Sequence, residues 1–228
     1  MRYGVYLLQT GIPHPFWILD ERMEKALKQQ SEQMGTVIAW VRHGETEWNR
    51  LRKIQGQTDI PLNETGKQQA ALAADRLVHE TWDGIYASDL ARARQTAEII
   101  SDRLGVKILG LDARLRERGF GSLEGTLYGT RNVEWAAKDG RNGAGASDVE
   151  SESAIVERGL GFVNELTTRM AGKKVIVVSH GGFIRRLLAV LTGVRLEPLP
   201  NASINIIRQV KPDRWELISR EDGIQTGS

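Results

Sequence analysis

Two histidines that each precede a glycine are the residues of this sequence best placed to do chemistry. His43 lies in the segment RHGET directly after residues 36–41, and His180 lies in SHGG directly after residues 174–179. Both preceding runs are apolar, which predicts strands covered on both faces. Because ligands of open α/β sheets bind at the carboxyl ends of the strands, we expect both imidazoles at one binding site. The alternative for either histidine alone is a satisfied side chain in a tight turn.

Arg42 and the two imidazoles form a combination that suits an oxyanion, most naturally a phosphate. The sequence contains no cysteine, and neither histidine corner carries a His-x-x-x-His or Asp-rich cluster of metal ligands. Arg42 would also repel a divalent cation, so no metal site is predicted. A neutral imidazole is a nucleophile that can form a covalent intermediate.

Arg92 is predicted to bring a second guanidinium to the same phosphate. In the segment YASDLAR a strand ends, Ser88 or Asp89 is expected to cap a helix, and Arg92 falls in the first helical turn. The helix dipole disfavours a cation there, and a local rule broken without evident gain tends to mark a functional site. We therefore expect Arg92 to bind the phosphate beside the helix N-terminus, the alternative being an ordinary solvated arginine.

The ordered set of short motifs along the chain resembles the histidine phosphatase superfamily, also called the phosphoglycerate mutase-like family, and within it the phosphatase branch. An Arg-His-Gly triplet alone is a weak signal, whereas the ordered set is very specific and spans roughly residues 35 to 220. The matching segments are RHGETEWN from position 42, QG at 55, DIPLN at 59, TG at 65, residues 88–96, LRE at 115, FG at 120, EG at 124 and residues 177–182.

The resemblance implies a role for each matching site residue. His43 would be the nucleophile that becomes phosphohistidine, and Glu117 would give a proton to the leaving oxygen and then activate water. Arg42, Arg92 and His180 would bind the phosphoryl group beside the nucleophile. The pocket wall and further substrate contacts would come from Asn49, Gln55, Gly56, Thr46 and Gly181.

Glu117 has an unfavourable local sequence for an acid. Arg114, Arg116 and Arg118 surround it, and nearby cations favour the ionised form of a carboxyl group, whereas an acid must hold its proton. A bound phosphate dianion would favour the protonated form, and an extended backbone would send Arg116 and Arg118 to the opposite face. Without the resemblance, a surface salt-bridge cluster would be the preferred interpretation.

Alternating strands and helices must position these residues. Besides the two buried runs, the patterns predict helices and strands over 65–78 (helix), 84–87 (strand), 90–104 (helix), 106–109 (strand), 155–170 (helix) and 183–191 (helix). Residues 203–210 and 214–219 flank Lys-Pro-Asp and predict a terminal hairpin. This alternation predicts an α/β fold, a three-layer αβα sandwich with a mostly parallel central sheet.

Length and composition limit what the chain does. It has 228 residues, 40% of them hydrophobic, which favours one catalytic domain over 35–228 after an N-terminal extension over 1–34. The 31 Lys and Arg residues nearly balance 29 Asp and Glu residues, which argues against nucleic-acid and membrane-surface binding. Neither a targeting segment nor a membrane span is predicted, and a cytoplasmic location is expected.

Together these features predict a metal-independent phosphomonoesterase that hydrolyses a small phosphorylated metabolite through a phosphohistidine, with no cofactor. Two alternatives stay open, a phosphoglycerate mutase and a non-catalytic module that binds a phosphorylated ligand. Residues 126–151 form a short, glycine-rich stretch, which predicts a poor cover that lets water reach His43 and favours hydrolysis. The sequence leaves open which substrate is used and whether the chain forms a homodimer.

Overall fold

The computed structural model describes residues 35–129 and 148–221 of the chain. The strands in these ranges are β1 (Val37–Arg42), β2 (Gly84–Ala87), β3 (Ile108–Leu111), β4 (Lys174–Ser179), β5 (Ile204–Lys211) and β6 (Arg214–Glu221). The α-helices are α1 (Glu47–Arg50), α2 (Glu64–Leu77), α3 (Ala91–Leu104), α4 (Glu152–Arg169) and α5 (Gly181–Thr192). Two short 3₁₀ turns cover Ala113–Leu115 and Gly121–Leu123.

One six-stranded sheet, in the order β3-β2-β4-β1-β5-β6, organises the described residues. β1 pairs in parallel with β4, and β2 pairs in parallel with both β4 and β3. β5 runs antiparallel to β1 and to β6, so the predicted hairpin of β5 and β6 forms one edge of the sheet. The mostly parallel sheet expected from strand–helix alternation is confirmed.

Residues of β1 alternate between two cores, one on each face of the sheet. Ile38 and Trp40 pack in a cluster with the apolar faces of α4 and α5. Ala39 and Val41 pack in a second cluster with α2 and α3. Because a central strand must be apolar on both faces to lie between two helical layers, its sequence reads as a continuous apolar run. The predicted three-layer αβα sandwich is therefore confirmed.

Element boundaries differ from the sequence patterns in a few places. Helix α4 begins at Glu152 rather than Ile155, because the Ser151 side chain accepts the Ala154 N–H and starts the helix one turn before the first buried position. Strand β3 lies two residues later than predicted. The four-residue helix α1 was not predicted, because four residues are too few to show a period.

Some predictions fall on parts of the chain outside the described residues. These are the N-terminal extension over 1–34 and most of the cover over 126–151. The division into an extension and a catalytic domain therefore stays a prediction. Among the described helices, none is long and apolar enough to cross a membrane.

Candidate active site

His43 and His180 meet at the carboxyl ends of two neighbouring strands. β1 and β4 pair in register from Val37 opposite Lys174 to Arg42 opposite Ser179, so each strand delivers its histidine at the same level. The two ring centroids are 5.1 Å apart. The side chains are buried, His43 being 3% and His180 0% exposed. The structure thus brings together the two histidine corners that the sequence singled out.

The His43 ring is held so that one nitrogen stays available. Its Nδ1 lies 2.7 Å from the carbonyl oxygen of Gly44, and since a carbonyl only accepts, Nδ1 carries the proton. Nε2 is then left with its lone pair. Burial, followed by the charges of Arg92 and Arg42, lowers the pKa of His43 well below its usual value. The ring is therefore neutral at neutral pH, the state a nucleophile needs.

Both nitrogens of His180 have protein partners. Nδ1 accepts a hydrogen bond from Arg92 Nε at 3.2 Å, which places the proton on Nε2. Nε2 in turn donates to Ser88 Oγ at 2.9 Å. Burial, followed by the charge of Arg92, lowers the pKa of His180 well below its usual value. His180 is therefore a neutral ring fixed in position and in tautomer.

Arg92 is fully buried and is held by backbone as well as by His180. Its Nη1 donates to the Thr58 carbonyl at 2.8 Å, and Nη2 donates to the Gly56 carbonyl at 2.7 Å. Burial lowers the pKa of Arg92 to about 10, so the guanidinium is still charged at neutral pH. A guanidinium has five N–H donors, and three are used here, which leaves two for a ligand.

Position 56, whose backbone carbonyl accepts a hydrogen bond from Arg92, requires a glycine. Its φ of +53° lies in the left-handed region that favours glycine. A Cβ at this position would also overlap the carboxylate of Glu124. That carboxylate accepts the backbone N–H groups of Gln57 and Thr58, at 2.9 and 2.8 Å, and so fixes the loop that holds Arg92. Glu124 is a contributor that sequence reasoning placed in the motif set without giving it a role.

Arg42 presents a buried donor that has no partner. Its Nη1 donates to the Leu199 carbonyl, whereas its Nε is buried and unpaired among the described residues. Burial lowers the pKa of Arg42, with the nearby Glu117 carboxylate opposing that shift. Leaving a buried N–H unpaired is costly, so this atom is a natural contact for an anionic ligand.

The carboxylate of Glu117 is held by two backbone N–H groups. Its Oε1 accepts from Arg118 N at 2.9 Å and its Oε2 accepts from Gly182 N, in the first turn of α5, at 2.8 Å. The flanking arginines engage other groups: Arg114 pairs with Asp112 and Glu165, Arg116 with Asp89, and Arg118 Nε donates to the Glu150 carbonyl. None of their guanidinium groups pairs with the Glu117 carboxylate, so the surface salt-bridge interpretation is wrong for that side chain.

Thr46, Asn49 and Gln55 form one hydrogen-bond network beside the His43 corner. Thr46 caps α1 by accepting the Asn49 N–H at 3.1 Å, and its hydroxyl donates to Gln55 Oε1 at 2.8 Å. Asn201 joins the network, since its Nδ2 lies 3.2 Å from Asn49 Oδ1 and 3.1 Å from the His43 carbonyl oxygen. Asn201 was missed by sequence reasoning, because it follows a proline-rich turn that belongs to no motif.

The cap of α3 differs from the sequence expectation. Neither Ser88 nor Asp89 caps the helix: Ser88 bonds His180 and the Leu90 N–H, and Asp89 pairs with Arg116. Asp59 supplies the cap from across the site, with its Oδ1 accepting the Ala91 N–H at 2.6 Å. A cap from 32 positions away is invisible to local patterns, yet it ties the Gly56–Asp59 loop to the helix that carries Arg92.

A cavity of about 310 Å³ opens onto this site, and we call it the active-site cavity. Arg42, Glu117 and Gly181 line it, while His43, His180 and Arg92 are nearly fully buried and do not. The remaining lining residues are Phe120, Tyr128, Gly182, Arg185, Arg186, Pro198 and Leu199. The described residues contain no group of three or more His, Cys, Asp or Glu side chains that could hold a metal ion.

Comparison with known proteins places this architecture in a family. The model of the histidine phosphatase superfamily (branch 1) matches residues 38–223. Phosphoglycerate mutase-like protein 4 from Arabidopsis thaliana is 35% identical over 189 residues, covering 79% of this chain and 82% of that protein. The uncharacterized phosphatase PhoE from Bacillus subtilis is 33% identical over 186 residues, covering 80% of this chain and 92% of its own.

A solved structure shows the same fold. A mycobacterial glucosyl-3-phosphoglycerate phosphatase, solved in complex with VO3, superposes with a TM-score of 0.70 at 28% identity, covering 80% of this chain and 97% of that one. The chain therefore belongs to the histidine phosphatase superfamily, as the resemblance in its motifs predicted. Within that class its relatives carry both phosphatase and mutase names.

Proposed function

We propose that this protein is a phosphomonoesterase that works through a phosphohistidine on His43 and needs no metal. The observation that carries the proposal is the state of His43: its Nδ1 is bound to a carbonyl, and its Nε2 is free beside two arginines with unused donors. A buried neutral imidazole facing cationic donors suits attack on a phosphoryl group.

In the first step, the Nε2 lone pair of His43 forms a bond to phosphorus while the bond from phosphorus to the leaving oxygen breaks. Glu117 in its protonated form gives its proton to that oxygen, so the alcohol leaves neutral. The spare N–H groups of Arg42 and Arg92 stabilise the charge on the equatorial oxygens.

In the second step, water attacks the phosphohistidine in line with the P–N bond. Glu117, now a carboxylate, takes a proton from the water as the P–N bond breaks. The electron pair returns to Nε2, so His43 is restored as a neutral ring and inorganic phosphate leaves. The Gly44 carbonyl holds the Nδ1 proton throughout both steps, which keeps the same nitrogen reactive in each cycle.

The names of the relatives support a phosphatase function, and they also include the alternative function of a mutase. The Bacillus subtilis relative is called a phosphatase, and the mycobacterial phosphatase was solved with VO3. The Arabidopsis relative is called phosphoglycerate mutase-like, and a mutase would pass the phosphoryl group from His43 to an acceptor instead of water. A mutase must exclude water from its intermediate.

The proposal is tested by measuring how much of the phosphoryl group is transferred to water and how much to an acceptor. The full chain is incubated with 3-phosphoglycerate and bisphosphoglycerate, and 2-phosphoglycerate and free phosphate are followed in one time course. We expect free phosphate to dominate. Isomerisation exceeding phosphate release by an order of magnitude would instead establish a mutase. A chain that turns over no phosphomonoester at all would be the binding module.

Chelation and vanadate test the chemistry of the step. Excess chelator should leave the rate of phosphate release unchanged, because the charge on the phosphoryl oxygens is met by arginine. Vanadate adopts the trigonal-bipyramidal geometry of phosphoryl transfer, so it should inhibit in competition with substrate. Loss of activity on chelation that one divalent ion restores would overturn the mechanism.

A further inference from the structure

The segment that carries Glu117 depends on side chains of other elements for its position. Residues 116–120 form no helix or strand, so no regular ladder of hydrogen bonds holds their backbone. Backbone carbonyls that are shielded from water nevertheless need donors. The Leu115 carbonyl, just before this segment, accepts from the Ser179 hydroxyl at the end of β4 at 2.7 Å. The neighbouring carbonyls accept from a different side chain.

Arg158, on α4, donates to three carbonyls around the proposed acid. Its Nη1 lies 2.6 Å from the carbonyl oxygen of Arg114 and 2.6 Å from that of Arg116. Its Nη2 lies 3.0 Å from the carbonyl oxygen of Glu117 itself. Together with the bond from β4, four successive carbonyls accept hydrogen bonds from side chains. The backbone of Glu117 is therefore fixed chiefly by one guanidinium.

The remaining N–H groups of Arg158 bind the carboxylate of Glu150. Nε lies 2.7 Å from Oε1, and Nη2 lies 3.0 Å from Oε2. The same carboxylate accepts the Gly119 N–H at 3.0 Å, and the Glu150 N–H donates to the Gly119 carbonyl at 2.8 Å. All five N–H groups of the guanidinium are thus used. Three hold the backbone up to Glu117, and two hold the residue that fixes the backbone after it.

Glu150 also balances the charge that Arg158 brings close to the proposed acid. Both side chains are largely buried, and the guanidinium centre lies 5.1 Å from the centroid of the buried Phe183 ring. Burial disfavours the charged form of Glu150, but the hydrogen bonds from Arg158 and from the Gly119 N–H hold its pKa below the usual range. The ion pair therefore holds the backbone without placing a net positive charge beside a carboxyl group that must carry a proton.

We propose that Arg158 is the positioning residue for the proposed acid Glu117, and that it acts by fixing the backbone from which the carboxyl group reaches the leaving oxygen. This inference rests on the proposed phosphatase function. Arg158 is not among the residues that line the active-site cavity, so it acts through Glu117 and not on the substrate. A displacement of about 1 Å at a reacting group lowers a rate by roughly 10²-fold, which sets the size of the effect.

The dependence on the leaving group tests this role. Single-turnover release of the leaving group is measured with nitrophenyl phosphate and with three alkyl phosphates, namely glycerol 3-phosphate, 3-phosphoglycerate and glucose 6-phosphate. Arg158→Gln should lower the alkyl rates by roughly 10²-fold and the nitrophenyl rate by less than about threefold, because only a poor leaving group needs the acid. Arg158→Lys should recover part of the alkyl rate, since an ammonium group keeps the charge opposite Glu150 and three donors.

A double-mutant cycle with Glu117→Gln separates positioning from a general structural role. If Arg158 acts through the acid, adding Arg158→Gln to Glu117→Gln should lower the alkyl rate by less than about threefold further, because the group that it positions no longer gives a proton. A residue that only stabilises the fold would lower the rate by the same factor in both backgrounds.

A second variant and a control keep the test independent of folding. Removing Arg158 alone leaves Glu150 as an unpaired buried charge, whereas Arg158→Gln combined with Glu150→Gln leaves none. This double variant should show the same selective loss on alkyl phosphates. The control is Arg169→Gln, which removes an exposed arginine paired with Glu165 near the end of the same helix. It should leave both rates unchanged, and urea unfolding checks that every variant is folded during the assay.

The outcomes separate this inference from the proposed function. Equal losses on alkyl and nitrophenyl phosphates in the folded Arg158 variants, or an alkyl loss that persists in full in the Glu117→Gln background, overturn the role of Arg158 and leave the phosphatase intact. A wild-type chain that releases alcohol from none of the three alkyl phosphates overturns the proposed function, and this inference with it.

Discussion

The His43 and His180 corners look alike in sequence and differ in their hydrogen bonds. Each histidine follows a buried strand and precedes a glycine, and the two rings lie 5.1 Å apart. His43 Nδ1 donates a hydrogen bond to the Gly44 carbonyl, and Nε2 stays free. His180 Nδ1 accepts a hydrogen bond from Arg92, and its Nε2 donates one to Ser88. The positions of the two strands therefore bring both rings to the site. Their hydrogen-bond partners then leave one ring with a free nitrogen and the other with none.

The difference extends to the residues that each corner holds. The His43 corner supplies the free nitrogen and Arg42. The His180 corner fixes Arg92 through the ring and fixes Glu117 through the Gly182 N–H of α5. In the proposed mechanism, one corner thus presents the nucleophile, whereas the other positions Arg92 and the acid. Four changes test this division, taken from the largest expected effect to the smallest.

Removing each ring should separate the two corners most clearly. His43→Ala should abolish the phosphoenzyme and lower kcat by at least about 10⁴-fold, because no other group forms the covalent intermediate. His180→Ala should lower kcat by roughly 10²–10³-fold, the scale of losing a preorganised donor, because Arg92 is then no longer held in place, and should still form the phosphoenzyme. The measurement is acid-free quenching with labelled substrate. Label on His43→Ala would reverse the assignment.

Glu117→Gln tests whether the carboxyl group held by the His180 corner is the proposed acid. Alkyl phosphates should lose roughly 10²–10⁴-fold in kcat, because a poor leaving group needs a proton as it departs. Nitrophenyl phosphate should lose far less in its first step. The comparison of burst and steady-state rates on both substrates checks this. Equal losses in the burst rate on both would give Glu117 a positioning role instead.

Lowering the pH should destabilise the fold through both rings. Burial lowers the pKa of His43 and of His180 in the folded state, so the unfolded chain binds more protons once the pH drops below the unfolded value of about 6.5. The free energy of unfolding should be full above that pH and fall by up to about 1.4 kcal/mol per unit and per histidine down to the lowered folded pKa.

Urea unfolding between pH 5 and 8 measures this slope. The window lies above the range in which carboxylates titrate, so it isolates the histidines. His43→Ala and His180→Ala should each reduce the slope by about one proton. A slope unchanged in both variants would mean that neither ring is buried in its neutral form.

Ser88→Ala should have the smallest effect and should act on one corner only. It removes the acceptor for His180 Nε2 while leaving the bond from Arg92 in place. We expect kcat to fall by less than about tenfold, since the loss is that of one neutral hydrogen bond. Ser101→Ala is the matched control, because the Ser101 hydroxyl donates to the Val106 carbonyl at the C-terminal end of α3, away from Arg92. A loss as large as that of His180→Ala would make Ser88 part of the reacting machinery.

Much of this arrangement could be predicted from the sequence. The apolar runs that became β1 and β4 located both histidines, because buried parallel strands carry an unbroken hydrophobic signal. Arg92 was predicted from a local anomaly, a cation in a first helical turn. The structure shows what compensates for it, since Gly56, Thr58 and His180 surround the guanidinium with acceptors.

The rest depends on contacts between distant segments. Asp59 caps α3, Asn201 reaches the His43 carbonyl, and Glu124 fixes the loop of Gly56 through backbone N–H groups. None of these pairings leaves a periodic trace, because each joins segments that are far apart in the chain.

The anchoring of Arg92 on backbone carbonyls bears on how such a pocket diversifies. A carbonyl is present whatever side chain a residue carries, so the acceptor that Thr58 offers to the guanidinium does not depend on that residue's side chain. Gly56 is the exception, because its conformation and its closeness to Glu124 admit no Cβ. The residues that line the cavity can therefore change, or be redesigned for another ligand, while Arg92 keeps its place.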